Sequence, residues 1–297
     1  LRVETFVRWT HPGLGVLPPG AFISFFESQG RMGELTRHVL TTSLDAYTAW
    51  RGTDGPGFSV NLAQSDLIEP GFAEWFSGLL AERDFPAGLI TLECPALPTD
   101  VSLGDASRYF SRLKETGARL AMEVRGRAND LLRTIDPFPF DEVKTGGSAI
   151  LRFARTMRGG PGLSAISELL ELAKENEADI VAVGVEDQAS LKALAGLGFT
   201  AAQGNYLATI GDLEAIAPNI VNSVRTVLDL PALDEDAAAA ADPVETTGFG
   251  ATESGTTETQ SAETASATAP LSAEKVALLK QKAARVAAKR RAERKAA

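Results

Sequence analysis

Gly88-Leu89-Ile90-Thr91-Leu92-Glu93-Cys94 is an apolar run that carries one acidic residue just before its end. Its Leu, Ile and Thr content favours a β-strand. The same arrangement, a short apolar run ending near one polar side chain, recurs at Glu4, Asn61, Glu93, Glu123, Lys144, Glu186 and Gln203. Side chains at the ends of many parallel strands meet only if the sheet closes, as in a (β/α) barrel, where the chemistry lies at that rim. The sequence therefore predicts an α/β fold of the (β/α)8, or TIM-barrel, type.

The alternation of strands and helices extends over the first part of the chain. It predicts strands at 2–9, 57–62, 88–94, 119–124, 141–145, 179–185 and 198–203, separated by helices at 33–47, 70–82, 105–117, 128–135, 164–176 and 187–196. Seven strands are one fewer than a closed barrel needs. Because the chain starts on a strand and with Leu1 rather than Met, we expect the first strand of the barrel to precede Leu1.

Composition divides the chain into three predicted parts. Residues 1–230 form the barrel domain. Residues 231–271 are rich in Ala, Thr, Ser and Glu and poor in large apolar residues, which predicts a disordered linker. Residues 272–297 carry nine Lys or Arg against two Glu, with a narrow apolar face, which predicts a basic C-terminal helix. That helix is either simply solvated or contacts an anionic partner such as RNA, a membrane surface or an acidic protein.

Charge and residue counts exclude several classes of protein. The net charge of −10 disfavours non-specific nucleic-acid binding by the body of the protein. Cys94 is the only cysteine, which excludes an internal disulfide and a metal-thiolate site, and His11 and His38 are not spaced as a zinc-ligand pair. The sequence contains no apolar run long enough to cross a membrane, and we expect a cytoplasmic domain, tethered at most by a region upstream of Leu1.

Polar strand ends of this kind fit hard divalent cations such as Mg²⁺ or Mn²⁺, which prefer oxygen ligands. Two such ions can hold a phosphodiester for attack by metal-bound water. In this order, the motifs resemble those of the EAL-domain family, bacterial phosphodiesterases that linearise cyclic di-GMP. The resemblance covers about residues 3–210 and rests on Glu4-Thr5-Phe6-Val7-Arg8-Trp9-Thr10-His11-Pro12, Ser59-Val60-Asn61-Leu62, Leu92-Glu93, Lys144-Thr145-Gly146, Ala182-Val183-Gly184-Val185-Glu186 and Gln203-Gly204.

Three departures from the family pattern decide the expected chemistry. Glu123-Val124 stands where the family has an Asp-Asp pair, Gly146 replaces an Asp, and Val183 replaces a Glu. The resemblance thus implies that one vestigial metal site keeps its ligands at Glu4, Asn61, Glu93 and Glu123, whereas the second site has lost nearly all of them. We expect a catalytically inactive domain in which Lys144 is vestigial. It would require no cofactor and bind at most one Mg²⁺, Mn²⁺ or Ca²⁺.

Inactive members of the family serve as cyclic di-GMP receptors or as protein-interaction platforms. For a receptor, the resemblance and side-chain chemistry suggest a ligand set of Phe6, Arg8, Asn61, Glu186, Gln203 and Gly204. Arg8 would clamp a phosphate and Phe6 would pack on a guanine. Structural alternatives stay open: Arg8 in an ordinary ion pair, Phe6 in the barrel core, Gly204 in a turn and Glu186 as the cap of helix 187–196.

Three hypotheses of function follow. The leading one is a receptor that binds cyclic di-GMP without hydrolysing it and signals to a protein partner that the sequence does not identify. The alternative is a scaffold of EAL fold that binds neither nucleotide nor metal and uses the basic tail for an anionic partner. The third is residual phosphodiesterase activity through a single ion. Arg125 and Arg127, in the loop that departs from the family pattern, either compensate electrostatically for the lost ligand contacts or are solvated surface residues.

Overall fold

The computed structural model describes residues 1–51, 55–97, 101–125, 128, 130–146, 161–211 and 219–233. The elements in chain order are β1 (Arg2–Glu4), β2 (Trp9–His11), β3 (Gly15–Leu17), α1 (Ile23–Ser28), α2 (Met32–Arg51), β4 (Gly57–Asn61), α3 (Gln64–Ile68), α4 (Phe72–Glu82), β5 (Ile90–Cys94), α5 (Leu103–Glu115), β6 (Arg119–Val124), α6 (Asp130–Thr134), β7 (Glu142–Gly146), α7 (Pro161–Glu175), β8 (Asp179–Val183), α8 (Gln188–Leu197), β9 (Ala201–Gln203) and α9 (Ile220–Val227). None of these helices has the length and hydropathy needed to cross a bilayer.

The chain divides into two units, residues 1–7 with 31–241 and residues 8–30 with 242–297. In the first unit, seven parallel strands form one sheet in the order β1-β4-β5-β6-β7-β8-β9, and α2 to α9 connect or follow them. This confirms the predicted α/β fold of the TIM-barrel type. The β4, β5, β6, β7 and β8 strands each lie within two residues of the predicted ranges.

The second unit contains the antiparallel hairpin of β2 and β3, followed by α1. Its rings pack edge to face, with the Trp9 centroid 4.9 Å from that of His11 and 5.7 Å from that of Phe22. The prediction of one strand over residues 2–9 was therefore wrong. The apolar pattern continues through this stretch, but the chain leaves the main sheet after Glu4 and starts a different sheet at Trp9.

The main sheet is strongly curved. Arg2 on β1 donates a hydrogen bond to Glu142 on β7, four strands away in the sheet order. Gln203 on β9 donates to Glu4 on β1, six strands away, with a distance of 2.6 Å between Nε2 and Oε2. In a flat sheet, strands four and six positions apart would lie roughly 19 and 29 Å from each other. The sheet must therefore curl until side chains on its two edge strands come into contact.

Successive residues along each strand face in turn the barrel interior and the surrounding helices. Phe58, Val60, Ile90 and Leu92 are buried in the hydrophobic core between the sheet and its helices. The residues that alternate with them on the same strands are Ser59, Thr91 and Glu93, which are also buried but polar. This period-two alternation follows from the pleat of a β-strand. As a result, polar side chains occupy the barrel interior, in contrast to the branched apolar residues that usually fill such barrels.

Ion pairs fill the amino end of the barrel. Glu142 accepts hydrogen bonds from Arg2 and, at 3.3 Å, from Arg119, while Arg119 also lies 3.4 Å from Asp179. The Glu142 side chain is only 5 % exposed. Burial and the nearby Arg119 charge lower the pKa of Arg2. We call Arg2, Arg119, Glu142 and Asp179 the floor cluster, because they join β1, β6, β7 and β8 across the end of the barrel opposite to the rim.

The described part of the predicted linker begins with a structured contact. The main-chain N–H of Leu233 donates to Asn222 Oδ1 at 2.9 Å, and Arg225 Nε donates to the Pro231 carbonyl at 2.6 Å. Residues 231–233 thus fold back on α9, which the composition did not predict. The remainder of the predicted linker and the predicted basic helix at 272–297 lie outside the described residues.

Asp66 is a buried acid at the start of α3, where it contacts α2 and the residue that precedes α3. Its Oδ2 atom accepts hydrogen bonds from Thr36 Oγ1 at 2.6 Å and from the Ala63 main-chain N–H at 2.7 Å, and the residue is 1 % exposed. Burial raises the pKa of its carboxyl, although the two hydrogen bonds oppose the shift. The folded state therefore favours the protonated acid. Its contribution to stability is complete at acid pH and is lost as the pH rises through the raised pKa.

We expect Asp66→Asn to remove this loss, because a neutral amide keeps an oxygen that can accept both hydrogen bonds. The melting temperatures of the parent and the variant should be similar near pH 4. As the pH rises toward about 8, the melting temperature of the variant should exceed that of the parent by a growing margin. Asp45→Asn is the control: this exposed aspartate of the neighbouring α2 helix pairs with Arg83, so its loss should not make the variant more stable than the parent as the pH rises. A parent that gains stability relative to Asp66→Asn on going from acid to neutral pH would contradict the assignment.

Candidate functional site

The polar strand ends meet around the amino group of Lys144 at the carboxyl end of the barrel. Lys144 Nζ donates to Glu93 Oε1, lies 3.6 Å from Glu4 Oε2 and lies 3.4 Å from Gln203 Oε1. These residues come from β7, β5, β1 and β9, and Lys144 is only 6 % exposed. Residues far apart in the sequence therefore form one compact cluster, which we call the rim cluster and which also includes Asn61.

Glu4 is held on both of its oxygens. Asn61 Nδ2 donates to Oε1 at 2.8 Å and Gln203 Nε2 donates to Oε2 at 2.6 Å. Gln203 thus uses both ends of its amide, donating to Glu4 and accepting from Lys144. This pattern fixes the ends of β1, β4 and β9 relative to one another.

Glu93 is the most buried carboxylate of the rim cluster. It accepts from Lys144 and from the hydroxyl of Ser59 on the neighbouring β4 strand. Burial raises the pKa of Glu93, Lys144 lowers it, and the negative charge of Glu4 raises it further. Ser59 was not predicted as a site residue. The available signal was its position two residues before Asn61, which places it on the same face of the strand.

Glu123 lies apart from these contacts, although it was predicted as a metal ligand with Glu4, Asn61 and Glu93. Its carboxylate is 49 % exposed and receives Arg125 Nε at 3.1 Å and Arg125 Nη2 at 3.3 Å. Within the described residues, no three Asp, Glu, His or Cys side chains are grouped closely enough to hold a metal ion. The four-ligand metal site stays a prediction.

The ends of β7 and β8 approach each other very closely at the two replaced family positions. Gly146 and Val183 are partners in the sheet register. A Cβ atom on Gly146 would lie 2.5 Å from the Val183 carbonyl oxygen and 3.1 Å from its Cβ. Contacts of side-chain Cβ atoms essentially never fall below 3.0 Å. The backbone here therefore has no room for an aspartate at position 146, and the side chain next to it is apolar.

Gly204 follows β9 directly and takes part in an equally close approach. A Cβ atom there would lie 2.1 Å from the Val185 carbonyl oxygen and 2.3 Å from its nitrogen. Val185 N–H donates to the Gln203 carbonyl at 3.0 Å, and Tyr206 N–H donates to the Val185 carbonyl at 3.1 Å. Glycine is thus required by the protein's own main chain at the end of β9.

The remaining predicted ligand residues take different positions. Glu186 is exposed after β8, and the cap of α8 is Asp187, whose Oδ1 accepts the Ser190 N–H at 2.7 Å. The alternative that Glu186 caps this helix is therefore wrong by one residue. Phe6 is 39 % exposed, which argues against a place in the barrel core. Arg8 is exposed and belongs to the second unit, so its role stays a prediction.

A curved parallel α/β sheet with glutamate, asparagine, lysine and glutamine gathered at its carboxyl end defines a barrel-type protein with a polar rim site. The family model described as "EAL domain" matches residues 1–209. The chain therefore belongs to the EAL-domain family.

Relatives and solved structures support the assignment. An uncharacterized protein of Mycobacterium tuberculosis is 32% identical over 215 residues, which cover 70% of this chain and 69% of that protein. Another uncharacterized protein of the same species is 27% identical over 195 residues, covering 64% of this chain but only 31% of that protein. The FimX EAL domain of Xanthomonas citri, solved in complex with c-diGMP, superposes with a TM-score of 0.63 at 18% identity, covering 73% of this chain and 84% of that one.

Proposed function

We propose that this chain is a catalytically inactive EAL domain that binds cyclic di-GMP and acts as its receptor. The proposal depends above all on the contact between Gly146 and the Val183 carbonyl. Both positions carry carboxylates in the family pattern. Here position 146 is a glycine without a side chain. It also has no space for one, because a Cβ atom would lie 2.5 Å from the Val183 carbonyl oxygen. Restoring a ligand would require the β7 and β8 main chains to move apart.

The loss of these carboxylates bears directly on hydrolysis. In two-metal phosphodiester cleavage, both ions stabilise the attacking and leaving oxygens, and one ion lowers the pKa of the attacking water. The Val183 side chain has no oxygen, Gly146 has no side chain, and Glu123 is bound to Arg125. The part of the chain that the structure describes therefore supplies the rim with hydrogen-bonding groups but not with a second set of metal ligands.

The groups that remain suit a bound dinucleotide. Asn61 and Glu186 are exposed at the carboxyl ends of β4 and β8, and Phe6 exposes an aromatic ring after β1. Amides and carboxylates can read the edges of a guanine base, and an aromatic ring can stack on its face. The Xanthomonas citri FimX domain, which has the same fold, was solved with this nucleotide bound.

We expect isothermal titration of the folded chain with cyclic di-GMP to give saturable heat, and Glu186→Ala to weaken binding at least tenfold. The expected factor follows because a hydrogen bond to a charged group contributes about 1.5–3 kcal/mol, and each 1.4 kcal/mol changes affinity about tenfold. Glu186 lies outside the rim cluster, so its removal leaves those contacts intact. Glu175→Ala, an exposed glutamate at the end of α7, is the matched control and should bind like the parent.

The two parts of the proposal fail separately. Absence of heat with folded parent protein would overturn the receptor function and favour the scaffold alternative. Linear dinucleotide produced after prolonged incubation with Mn²⁺, and abolished by Glu93→Gln, would overturn the proposed inactivity.

A further inference from the structure

Lys144 occupies a position that matters for cation binding at the rim. Its ammonium group contacts Glu93 Oε1 and lies 3.6 Å from Glu4 Oε2, and the three side chains are 7, 9 and 14 % exposed. A hydrogen bond to Gln203 Oε1 completes its surroundings. Two acidic side chains from β1 and β5 thus share one positive charge that the protein itself provides.

The EAL family uses divalent ions at this rim, and the residues present here do not fit such ions well. Lys144 Nζ contacts Glu93 Oε1 and lies 3.6 Å from Glu4 Oε2, so an ion that bound these two oxygens would compete with the ammonium group. Glu123, the next acid along the rim, is bound by both Nε and Nη2 of Arg125. On the far side of β7, the Gly146 and Val183 main chains leave no space for a carboxylate.

We propose that Lys144 is the resident cation of this rim and that it takes the place of a divalent metal ion between Glu4 and Glu93. The folded domain would then be complete without added metal. The inference is independent of nucleotide binding, since it concerns only the charges that the chain brings together at the ends of β1, β5 and β7.

A simple comparison of charges supports this proposal. If a divalent ion displaced the ammonium, Lys144 would stay 94 % buried with no carboxylate partner of its own. Breaking a buried ion pair in this way is strongly unfavourable, and the penalty should weaken ion binding by a factor of about 100 to 4000. Glu4 and Glu93, even with Asn61 beside Glu4 as a third oxygen ligand, do not compensate for this cost, because three protein ligands are few for a hard cation.

The test uses Mn²⁺ alone, with no nucleotide. The parent chain should show no Mn²⁺-dependent rise in melting temperature and no loss of the free Mn²⁺ signal in electron paramagnetic resonance at millimolar concentration. Lys144→Met removes the charge and keeps an unbranched side chain. It leaves Glu4 and Glu93 without a cation, so this variant should gain a stabilisation by Mn²⁺ that EDTA reverses and that adding Glu93→Gln abolishes.

Two further variants make the result decisive. Lys144→Arg keeps a positive charge and should behave like the parent. Lys114→Met removes the partly exposed lysine that lies 2.8 Å from Asp141 and should gain no Mn²⁺ response, which controls for ion binding to an acidic surface. If Lys144→Met does not fold, Mn²⁺ binding by the parent chain alone tests the proposal. Stoichiometric Mn²⁺ binding by the parent that Glu93→Gln removes would overturn the proposal, and so would a folded Lys144→Met that ignores Mn²⁺.

Discussion

Gly204→Ala should lower the melting temperature of the chain by about 6–12 °C, corresponding to about 3 kcal/mol at the 2–4 °C per kcal/mol typical of a domain of this size. The added methyl group would lie 2.1 Å from the Val185 carbonyl oxygen and 2.3 Å from its nitrogen. These are main-chain atoms, which cannot rotate away as a side chain can. Relief of the overlap must therefore break the hydrogen bonds of Val185 with Gln203 and Tyr206.

The matched control is Gly78→Ala. Gly78 lies in the middle of α4, where an added Cβ would meet nothing within 4 Å. Alanine in a helix interior is more favourable than glycine by about 0.5–1 kcal/mol, so this variant should melt slightly above the parent. Both variants are compared by differential scanning calorimetry. A Gly204→Ala variant that melts with the parent would show that the close approach at the end of β9 is not rigid.

The second large effect is expected at the opposite end of the barrel. Glu142→Gln removes the carboxylate that accepts hydrogen bonds from both Arg2 and Arg119. Asp179, 3.4 Å from Arg119, and Asp141 remain as further negative charges near the two arginines. Removing one partner of a buried ion pair typically costs 3–5 kcal/mol, and because both arginines are partly exposed we expect about 3 kcal/mol here. Urea denaturation should show a lower midpoint with an unchanged slope.

Glu34→Gln is the control for this substitution. Glu34 forms an ion pair with Arg31 three residues earlier, and both side chains are more than half exposed. Solvent screens such pairs, so the variant should unfold at the parent's urea concentration within error. If Glu142→Gln does the same, then the floor cluster is not what joins β1 to β7.

Local sequence patterns were sufficient to predict the sheet but not its edges. The β4 to β8 strands were predicted within two residues because each is a short apolar run with a polar residue in or just after its last part. The first strand was predicted too long, because Phe6, Val7 and Trp9 continue the apolar character after the chain has left the main sheet at Glu4. Nothing in a local window shows which sheet a strand will join.

The rim was predicted as a set of residues, and its hydrogen bonds could not be predicted. Glu4, Asn61, Glu93, Lys144 and Gln203 were all expected at the carboxyl end of the barrel, and the structure brings them together. The contact of Lys144 with Glu93 and its approach to Glu4 could not be predicted, because they depend on how strongly the sheet curves. The Arg125 contact to Glu123 and the tight packing of Gly146 on Val183 likewise depend on backbone positions that a residue list does not contain.

The side-chain contact between the two edge strands, β1 and β9, has a consequence for how the sheet fluctuates. Inside the sheet, a strand such as β5 is hydrogen-bonded through its main chain to both neighbours, whereas within the described residues β1 and β9 are each paired on one side only. At the rim, the amide of Gln203 and the carboxylate of Glu4 connect these two edges. Breaking one side-chain contact requires much less energy than separating a ladder of main-chain bonds. Among the described strands, the Gln203–Glu4 contact should therefore separate more readily than the main-chain ladders that join β4 to β8.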